Sequence, residues 1–330
     1  MKPLLRLPLI TAACLIALSP SPSVAADHRW QFLGGCRAAD WFGLPSGTNS
    51  QGMPTCWAIN DGGITGLAAP TLTDNAYIQL STATAETLVS FAQPQRASSS
   101  SGFASLLSMA GSTSFAAGLD MARGSLHVTT LTLGAVQVGV GTGTTRLGRI
   151  AQSGGELQVI GTATVLGGSW DLSAGTAYAG TLKLQSTAAA SGFKQTGGTL
   201  TAGSLDLSSL AGYSASFVQT AGTAQINQLE VGSTNTSLGT PAASFVSLSG
   251  AGSLLNGTGS FIIGSAGSGA LTVQGGARWN SAGGVVGAAA DGLVTVTGLG
   301  SLAAASGAIT VGMPGGTGRI VLSEGGRLQG

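Results

Sequence analysis

Carboxylate side chains are the groups of this chain whose spacing most directly suggests chemistry. A glycosidase needs two of them a few ångströms apart, one of which acts as the acid and the other as base or nucleophile. Asp206 and Glu230 each follow the first leucine of a Leu-x-apolar triplet. Because the interval from 206 to 230 equals the period of a repeat described below, we expect both side chains to stack on one outer face. We interpret them as solvated, mildly repelling carboxylates, with a catalytic pair as the alternative.

The other acidic residues between positions 126 and 330 are scattered singly. They are Glu156, Asp171, Asp291 and Glu324. Calcium-assisted lyases need clustered acids, and no general acid or basic subsite is evident beside Asp206 and Glu230. The sequence therefore predicts no catalytic, cofactor-binding or metal-binding residue.

The histidines, cysteines and glycine loops do not indicate a catalytic triad, a metal site or a phosphate-binding loop. His28 and His127 are far apart and lack recognisable triad partners, and no Cys-x-x-Cys pair suited to a metal is present. His127 begins a predicted strand, so we assign it a structural role. The glycine loop at 139–143 lacks the Lys-Ser/Thr of a phosphate cradle and is better explained as a turn.

Two tryptophans are candidates for sugar contacts. Trp170 and Trp279 could serve as stacking platforms, because indole rings present a large apolar face. Trp279 occupies an inward position of its repeat, so we favour a core role for it. Outward Ser, Thr, Gln and Asn side chains would in any case contact glycans or another rod without a special site.

Composition restricts the class of protein. Of 330 residues, 55 are glycine and only 25 are charged (13 Lys+Arg and 12 Asp+Glu). Typical contents are about 7% glycine and about 25% charged residues. Glycine does not recur at every third position, which excludes collagen, and 43% hydrophobic residues exclude charge-driven disorder. The near-neutral charge argues against nucleic-acid binding.

The segment from Met1 to Ala26 has the order of a secretory signal peptide. Lys2 and Arg6 precede an apolar run at 7–18, and a breaker segment leads to small residues with predicted cleavage after Ala26. A lipoprotein signal at Cys14 is a weaker alternative. We therefore expect an exported protein, on the cell surface or extracellular, with a Gram-negative type of envelope.

Export suits the two cysteines that remain after cleavage. Cys36 and Cys56 are predicted to form a disulfide in an oxidising compartment, which would stabilise the fold by roughly 3 kcal/mol. Two free thiols are the alternative. These cysteines lie in residues 27–125, with Trp30, Trp41 and Trp57, and we interpret this region as an N-terminal cap and first coils.

From position 126 the chain repeats a short apolar-x-apolar element, often followed by glycine. The copies are Leu131-Thr132-Leu133-Gly134, Leu182-Lys183-Leu184-Gln185, Leu205-Asp206-Leu207-Ser208, Leu229-Glu230-Val231-Gly232, Phe261-Ile262-Ile263-Gly264, Gly284-Val285-Val286-Gly287 and Ile309-Thr310-Val311-Gly312. Most successive copies are separated by roughly two dozen positions. The largest gap suggests a middle copy at 157–159, and the gap between 232 and 264 contains an extra loop near 235–241.

A second element with the same period follows each first one. It is an alternating strand that runs into glycines and then an apolar residue, as at 150–157, 193–200, 217–224, 271–279 and 320–328. Alternation places one face inward, and glycines let the chain turn. We therefore predict an all-β parallel β-helix, or β-solenoid, of about eight coils in 126–330, roughly 40 Å long at one strand spacing per coil. An antiparallel sandwich is the rival, but Asn256-Gly257 is the chain's one Asn-Gly hairpin signal.

The last three copies resemble a bacterial repeat family. Gly269-Ala270-Leu271-Thr272-Val273-Gln274-Gly275-Gly276-Ala277-Arg278-Trp279 and Gly292-Leu293-Val294-Thr295-Val296-Thr297-Gly298 follow its pattern. It is the repeat of type V secretion (autotransporter) passengers and of surface proteins with a PEP-type sorting signal. The resemblance implies a right-handed parallel β-helix exposed on or released from the envelope, often as an adhesin.

The chain departs from that family in ways that affect its expected anchoring. We see no C-terminal translocator of amphipathic strands and no sorting motif, so we expect a truncated chain whose outer-membrane translocator or anchor is missing. The leading hypothesis is a non-catalytic adhesive or structural passenger that contacts glycans or other surface molecules. The alternatives are a glycan-active β-helix enzyme and a passive spacer for another domain.

Overall fold

Period-two alternation of apolar side chains sets the secondary structure of this chain. The computed structural model describes residues 27–30, 57–59, 65–67, 74–79, 87–90, 101–111, 116–134, 147–186, 189–209, 213–233 and 244–330, and all regular elements there are strands. The predicted signal peptide with its cleavage site at Ala26, Cys36, Cys56 and the loops at 139–143 and 235–241 lie outside these residues.

Two sheets contain the 27 strands. The larger sheet, sheet A, consists of β1 (Asp27–Trp30), β2 (Trp57–Ile59), β3 (Thr65–Leu67), β4 (Asn75–Gln79), β6 (Ser101–Ala110), β8 (Ser125–Leu133), β10 (Glu156–Val165), β12 (Thr176–Ser186), β14 (Thr199–Ser209), β16 (Gly222–Val231), β18 (Ser253–Gly257), β19 (Phe261–Ile263), β21 (Arg278–Ser281), β22 (Gly284–Val286), β24 (Leu302–Ala305), β25 (Ile309–Val311) and β27 (Arg327–Gln329). Sheet B consists of β5 (Thr87–Ser90), β7 (Ala117–Met121), β9 (Gly148–Gln152), β11 (Gly168–Leu172), β13 (Ser191–Gln195), β15 (Ala215–Gln219), β17 (Ser244–Ser249), β20 (Gly269–Gln274), β23 (Gly292–Thr297) and β26 (Gly318–Ser323).

Strands one coil apart pair in parallel, which confirms the predicted β-solenoid. From β4 onward the described pairs are all parallel, whereas β1–β2 and β2–β3 are antiparallel. Eight of the ten sheet B strands, β9 to β26, lie within 126–330, so this region forms about eight turns, as the repeat count predicts. An antiparallel sandwich is thereby excluded for the described part of the chain.

The interior is a continuous column of apolar side chains. On sheet B the inward residues Trp170, Phe193 and Phe217 stack one coil above another. Their ring centroids lie 5.2 Å (Trp170–Phe193) and 5.5 Å (Phe193–Phe217) apart, and all three are buried. Each coil therefore buries its apolar face only with the help of its neighbours, as expected for a solenoid.

Three glutamines also point inward, which the sequence analysis did not anticipate. Gln152, Gln195 and Gln219 are buried on sheet B. Gln219 Nε2, for example, donates to Gly222 O at 2.7 Å and to Leu254 O, one coil above, at 3.2 Å. These amides satisfy carbonyl groups at the turn between the sheets, which would be costly to bury without a partner. The Gln-x-Gly-Gly part of the repeat thus stabilises a turn.

The predicted middle copy at 157–159 is wrong. Residues 157–159 pair with 126–128, whereas Ala163-Thr164-Val165 pair with 131–133 and 182–184. The long strand β10 contains both segments, separated by an irregularity after Val159. Alanine replaces the usual leucine at 163, so the true copy carries a weak apolar signal.

Glycines at the ends of the apolar-x-apolar elements have the left-handed backbone that the turn prediction requires. Their φ values lie between 74° and 84° at Gly134, Gly232, Gly264, Gly287 and Gly312. A side chain at such a position costs roughly 1–2 kcal/mol, because its Cβ approaches the following carbonyl. The glycine content of the chain is thus partly a consequence of repeated sharp corners.

Candidate functional site

The predicted stacking of Asp206 and Glu230 is confirmed. Asp206 on β14 pairs with Glu230 on β16, and Lys183 on β12 pairs with Asp206 from the other side. The residues that flank Asp206 in sequence, Leu205 and Leu207, are buried in the core. Alternation therefore places one lysine and two carboxylates in a single outward column, in which neighbouring backbones are about 4.8 Å apart. We call these three residues the charged column.

An open groove of about 400 Å³ follows the charged column. Hydroxyl and amide side chains form its other wall, among them Thr181, Ser204 and Gln228. Ser204 Oγ donates to Thr181 Oγ1 at 3.0 Å, along the axis of the solenoid. The groove thus combines opposite charges with neutral hydrogen-bonding groups, the kind of lining that suits a polar ligand.

Asp206 differs from an ordinary surface carboxylate. Burial raises the pKa of Asp206 above its usual value of 3.8, and the neighbouring Glu230 raises it further. A hydrogen bond donated by the Ser233 hydroxyl, and the positive charge of Lys183, oppose this rise in pKa. Asp206 is therefore less solvated than we predicted, and it holds a proton to a higher pH than a free aspartate. A protonated carboxyl group beside a second carboxylate provides a proton donor and a proton acceptor, the two groups that acid–base catalysis requires.

Replacing Asp206 by asparagine is expected to raise the free energy of unfolding at neutral pH by about 0.5 kcal/mol. The pKa of Asp206 is higher in the folded than in the unfolded state, so ionised Asp206 opposes folding. This penalty diminishes as the pH falls through the folded pKa and levels off below 3.8. Denaturant titrations of Asp206→Asn and of the parent chain at neutral pH and below pH 3.8 measure the difference.

Asp291→Asn is the matched control for this prediction, because Asp291 is exposed. Its free energy of unfolding at neutral pH should change by clearly less than that of Asp206→Asn, because a substitution on the open surface has little effect on stability. A lower stability of Asp206→Asn at neutral pH would contradict the prediction. It would mean that the attractions of Asp206 to Ser233 and Lys183 outweigh its burial.

His127 has a structural environment, as predicted. Its ring stacks on Phe103 with centroids 5.4 Å apart, and its Nδ1 forms a 2.5 Å hydrogen bond with Gln158 Oε1. Both neighbours occupy the same outward column one coil away. The backbone of His28 pairs with Ile59 in the antiparallel β1–β2 pair.

The tryptophans are not sugar platforms. Trp170 is fully buried, and its Nε1 donates to Gln152 Oε1 at 3.2 Å. Trp279 is 2% exposed and packs edge-on against Phe261, with centroids 4.8 Å apart. The core role we favoured for Trp279 is confirmed, and the platform hypothesis is wrong for both. The strand register places Trp170 directly on Phe193, inside the sheet B stack.

Sequence reasoning missed two pairings on the outer surface. Lys183 belongs to the charged column, and an alignment of the central residues of the apolar-x-apolar elements would have placed it there. Asp171, which we described as isolated, forms an ion pair with Arg149 on the adjacent strand of sheet B, with 3.1 Å between Nη2 and Oδ2. Both partners are about one third exposed, so this pair contributes little stability.

The described ranges contain neither a metal-binding cluster nor a membrane-spanning helix. These ranges contain no group of three His, Cys, Asp or Glu residues placed to hold a metal ion. Nor does any helix there have the length and apolar character to span a membrane. Comparison with models of protein families, with curated proteins and with solved structures finds no match to this chain.

Proposed function

We propose that this chain is an exported bacterial β-solenoid with an adhesive, non-catalytic role, of the kind found in autotransporter passengers. The observation that carries the proposal is the chemistry of its outer columns. Hydroxyl and amide groups repeat along the rod and bond to one another, as in Ser101–Ser125 (2.8 Å) and Asn280–Asn256 (2.7 Å). Uncharged ladders of this kind provide many weak, equivalent contacts, which add up when a surface engages several at once.

The rigid stack supports the same role. Each coil is held by parallel pairing in both sheets and by an apolar interior, so the outer side chains are fixed with little loss of entropy on binding. The signal-peptide pattern and the repeat resemblance add an export route and a surface location to the proposal. A spacer role would need the same rod but no binding.

Adhesion can be measured with beads coated with the purified chain and passed over glycan-coated or cell-coated surfaces. We expect beads carrying the folded chain to be retained under flow, and beads carrying the heat-denatured chain to be washed off. Retention no better than that of albumin-coated beads would contradict the adhesive role and favour a spacer. N-terminal sequencing of the secreted product should begin at Asp27 if the export route is right.

A second candidate function is supported by one specific observation, the geometry of the charged column. Asp206 has a raised pKa and lies one strand from Glu230 in an open groove. The spacing of neighbouring strands, about 4.8 Å, is close to the roughly 5–5.5 Å that separates the carboxyl groups of retaining glycosidases. A glycan-cleaving activity would therefore use Asp206 as acid and Glu230 as nucleophile or base.

The enzymatic alternative has a direct test. The purified chain is incubated with acidic and neutral polysaccharides, and new reducing ends or unsaturated products are followed. Turnover that disappears in both Asp206→Asn and Glu230→Gln would replace the adhesive proposal by the enzymatic one. Turnover unchanged in both variants would show that neither carboxylate of the charged column is catalytic.

A further inference from the structure

A second groove lies where the last coils turn from sheet B into sheet A. It is open to solvent and has a volume of about 700 Å³. Glycine-containing turns at 251–252, 275–276 and 299–300 form one wall. Leu254, Arg278 and Leu302 form the other wall, stacked in one outward column of β18, β21 and β24.

The apolar residues of this groove break the outward pattern of the solenoid. In the three preceding coils the same column holds Thr176, Thr199 and Thr223. Here leucine stands on both sides of Arg278, and Leu299 in the facing turn is 85% exposed, the highest value among the exposed large hydrophobic side chains of the described residues. Leu254 and Leu302 are partly buried, so together with the exposed Leu299 they give the groove an apolar side.

The charge of the groove is positive. Arg278 is exposed, and no acidic side chain is among the residues that line the groove. Arg327 follows Leu302 in the same column, two strands and about 10 Å beyond Arg278. Glu324, in the next turn, accepts a hydrogen bond from Thr297 Oγ1 at 3.2 Å, which directs its carboxylate to that hydroxyl.

One polar side chain completes the lining. Asn280 occupies the neighbouring outward column, and its Nδ2 donates to Asn256 Oδ1 at 2.7 Å. This bond fixes the orientation of the amide beside Arg278. The groove thus offers a cation, apolar side chains and an oriented amide within one opening.

We propose that this groove binds a carboxylate-bearing sugar unit of an acidic polysaccharide. The guanidinium of Arg278 matches a carboxylate with two parallel hydrogen bonds. The leucines suit the C–H face of a pyranose ring, and Asn280 suits its hydroxyl groups. This inference rests on the adhesive function proposed above and names the partner class for it.

Affinity electrophoresis through gels containing polygalacturonate tests the proposal. We expect the parent chain to be retarded by polygalacturonate and not by its fully methyl-esterified form, which keeps the sugar chain but lacks the charge. Arg278→Gln should raise the dissociation constant obtained from the retardation by about tenfold or more, the loss expected for a charge-assisted hydrogen bond. Leu299→Ser should weaken it severalfold, and both residues are exposed, so neither change removes core packing.

Arg319→Gln is the matched control. Arg319 is also an exposed arginine, but it lies on β26 of sheet B, and its removal changes the net charge by the same amount. The proposal is overturned if Arg319→Gln weakens binding as much as Arg278→Gln, if the methyl ester binds equally, or if polygalacturonate causes no retardation. Dextran sulfate is a polyanion without carboxylates. If it retards the chain equally, and if Arg278→Gln does not change that retardation, the binding is general attraction to anions and the proposal is likewise overturned.

The bead assay separates this inference from the adhesive function itself. If the beads adhere but the chain does not bind polygalacturonate, the inference about the groove is wrong and the adhesive function is retained. Polygalacturonate binding that depends on Arg278, without any bead adhesion, would uphold the groove and contradict the adhesive role.

Discussion

Replacing Phe193 by alanine is expected to lower the free energy of unfolding by about 3–5 kcal/mol. Phe193 is the middle ring of the Trp170–Phe193–Phe217 stack and is 1% exposed. Its removal would leave a cavity between two rings that parallel strand pairing holds in place, so the neighbours cannot collapse into it. Guanidinium denaturation gives the total loss.

Hydrogen exchange adds the spatial distribution of this loss. Because each coil contacts only its neighbours, protection should fall most in β11, β13 and β15 and least in β23 and β26. Tyr178→Ala is the matched control, since Tyr178 is an aromatic residue on an outward position, 38% exposed. It should cost about 0.5 kcal/mol or less. Equal losses for the two variants would contradict a core stack at Phe193.

The architecture was predictable because two independent elements share one period. The alternation of Leu205-Asp206-Leu207 and Leu229-Glu230-Val231 fixes which residues face outward, and their separation by one full period fixes the vertical register. Parallel stacking and the pairing of Asp206 with Glu230 both follow from these two facts. The prediction works wherever successive coils have equal lengths.

Copies were missed where coil length varies. Ile150 and Trp170 stack across a short interval of sequence, whereas Phe217 and Val246 stack across a much longer one. The connection from sheet A back to sheet B absorbs the difference: two residues (166–167) separate β10 from β11, whereas twelve residues (232–243) separate β16 from β17. Trp170 itself lies one ordinary interval before Phe193. Its copy was missed because Leu172 and Ala174 replace the glutamine and the first glycine of the motif, Gln195 and Gly197.

Some contacts of the charged column come from residues that do not recur in each repeat. Ser233 reaches Asp206 from the chain that follows Gly232, beyond the end of the next apolar-x-apolar element. Burial raises the pKa of Asp206, and the hydrogen bond from Ser233 partly opposes that rise. Sequence spacing could place the two carboxylates side by side, but it could not reveal that one of them holds its proton more tightly.

The glycines divide into two groups, according to whether the next coil leaves room for a side chain. Where a strand ends in a tight corner, the next coil passes directly over the glycine. A Cβ on Gly287 would lie 2.3 Å from Gly318 N, whereas a Cβ on Gly252 would meet nothing closer than Ala221 Cβ at 3.9 Å. The first group is thus required by both backbone conformation and space, and the second by neither.

Gly287→Ala is therefore expected to lower the free energy of unfolding by about 2–5 kcal/mol. Its φ of 77° adds roughly 1–2 kcal/mol of backbone strain, and the clash with the next coil adds about 1–3 kcal/mol of overpacking. Gly252→Ala is the matched control, and it should instead raise stability by about 0.4–1 kcal/mol, because alanine restricts the unfolded chain. Guanidinium titrations of both variants measure the two changes. Changes of the same sign and size would mean that residues 287 and 318 do not lie in adjacent coils, and the vertical register of the solenoid would have to be abandoned.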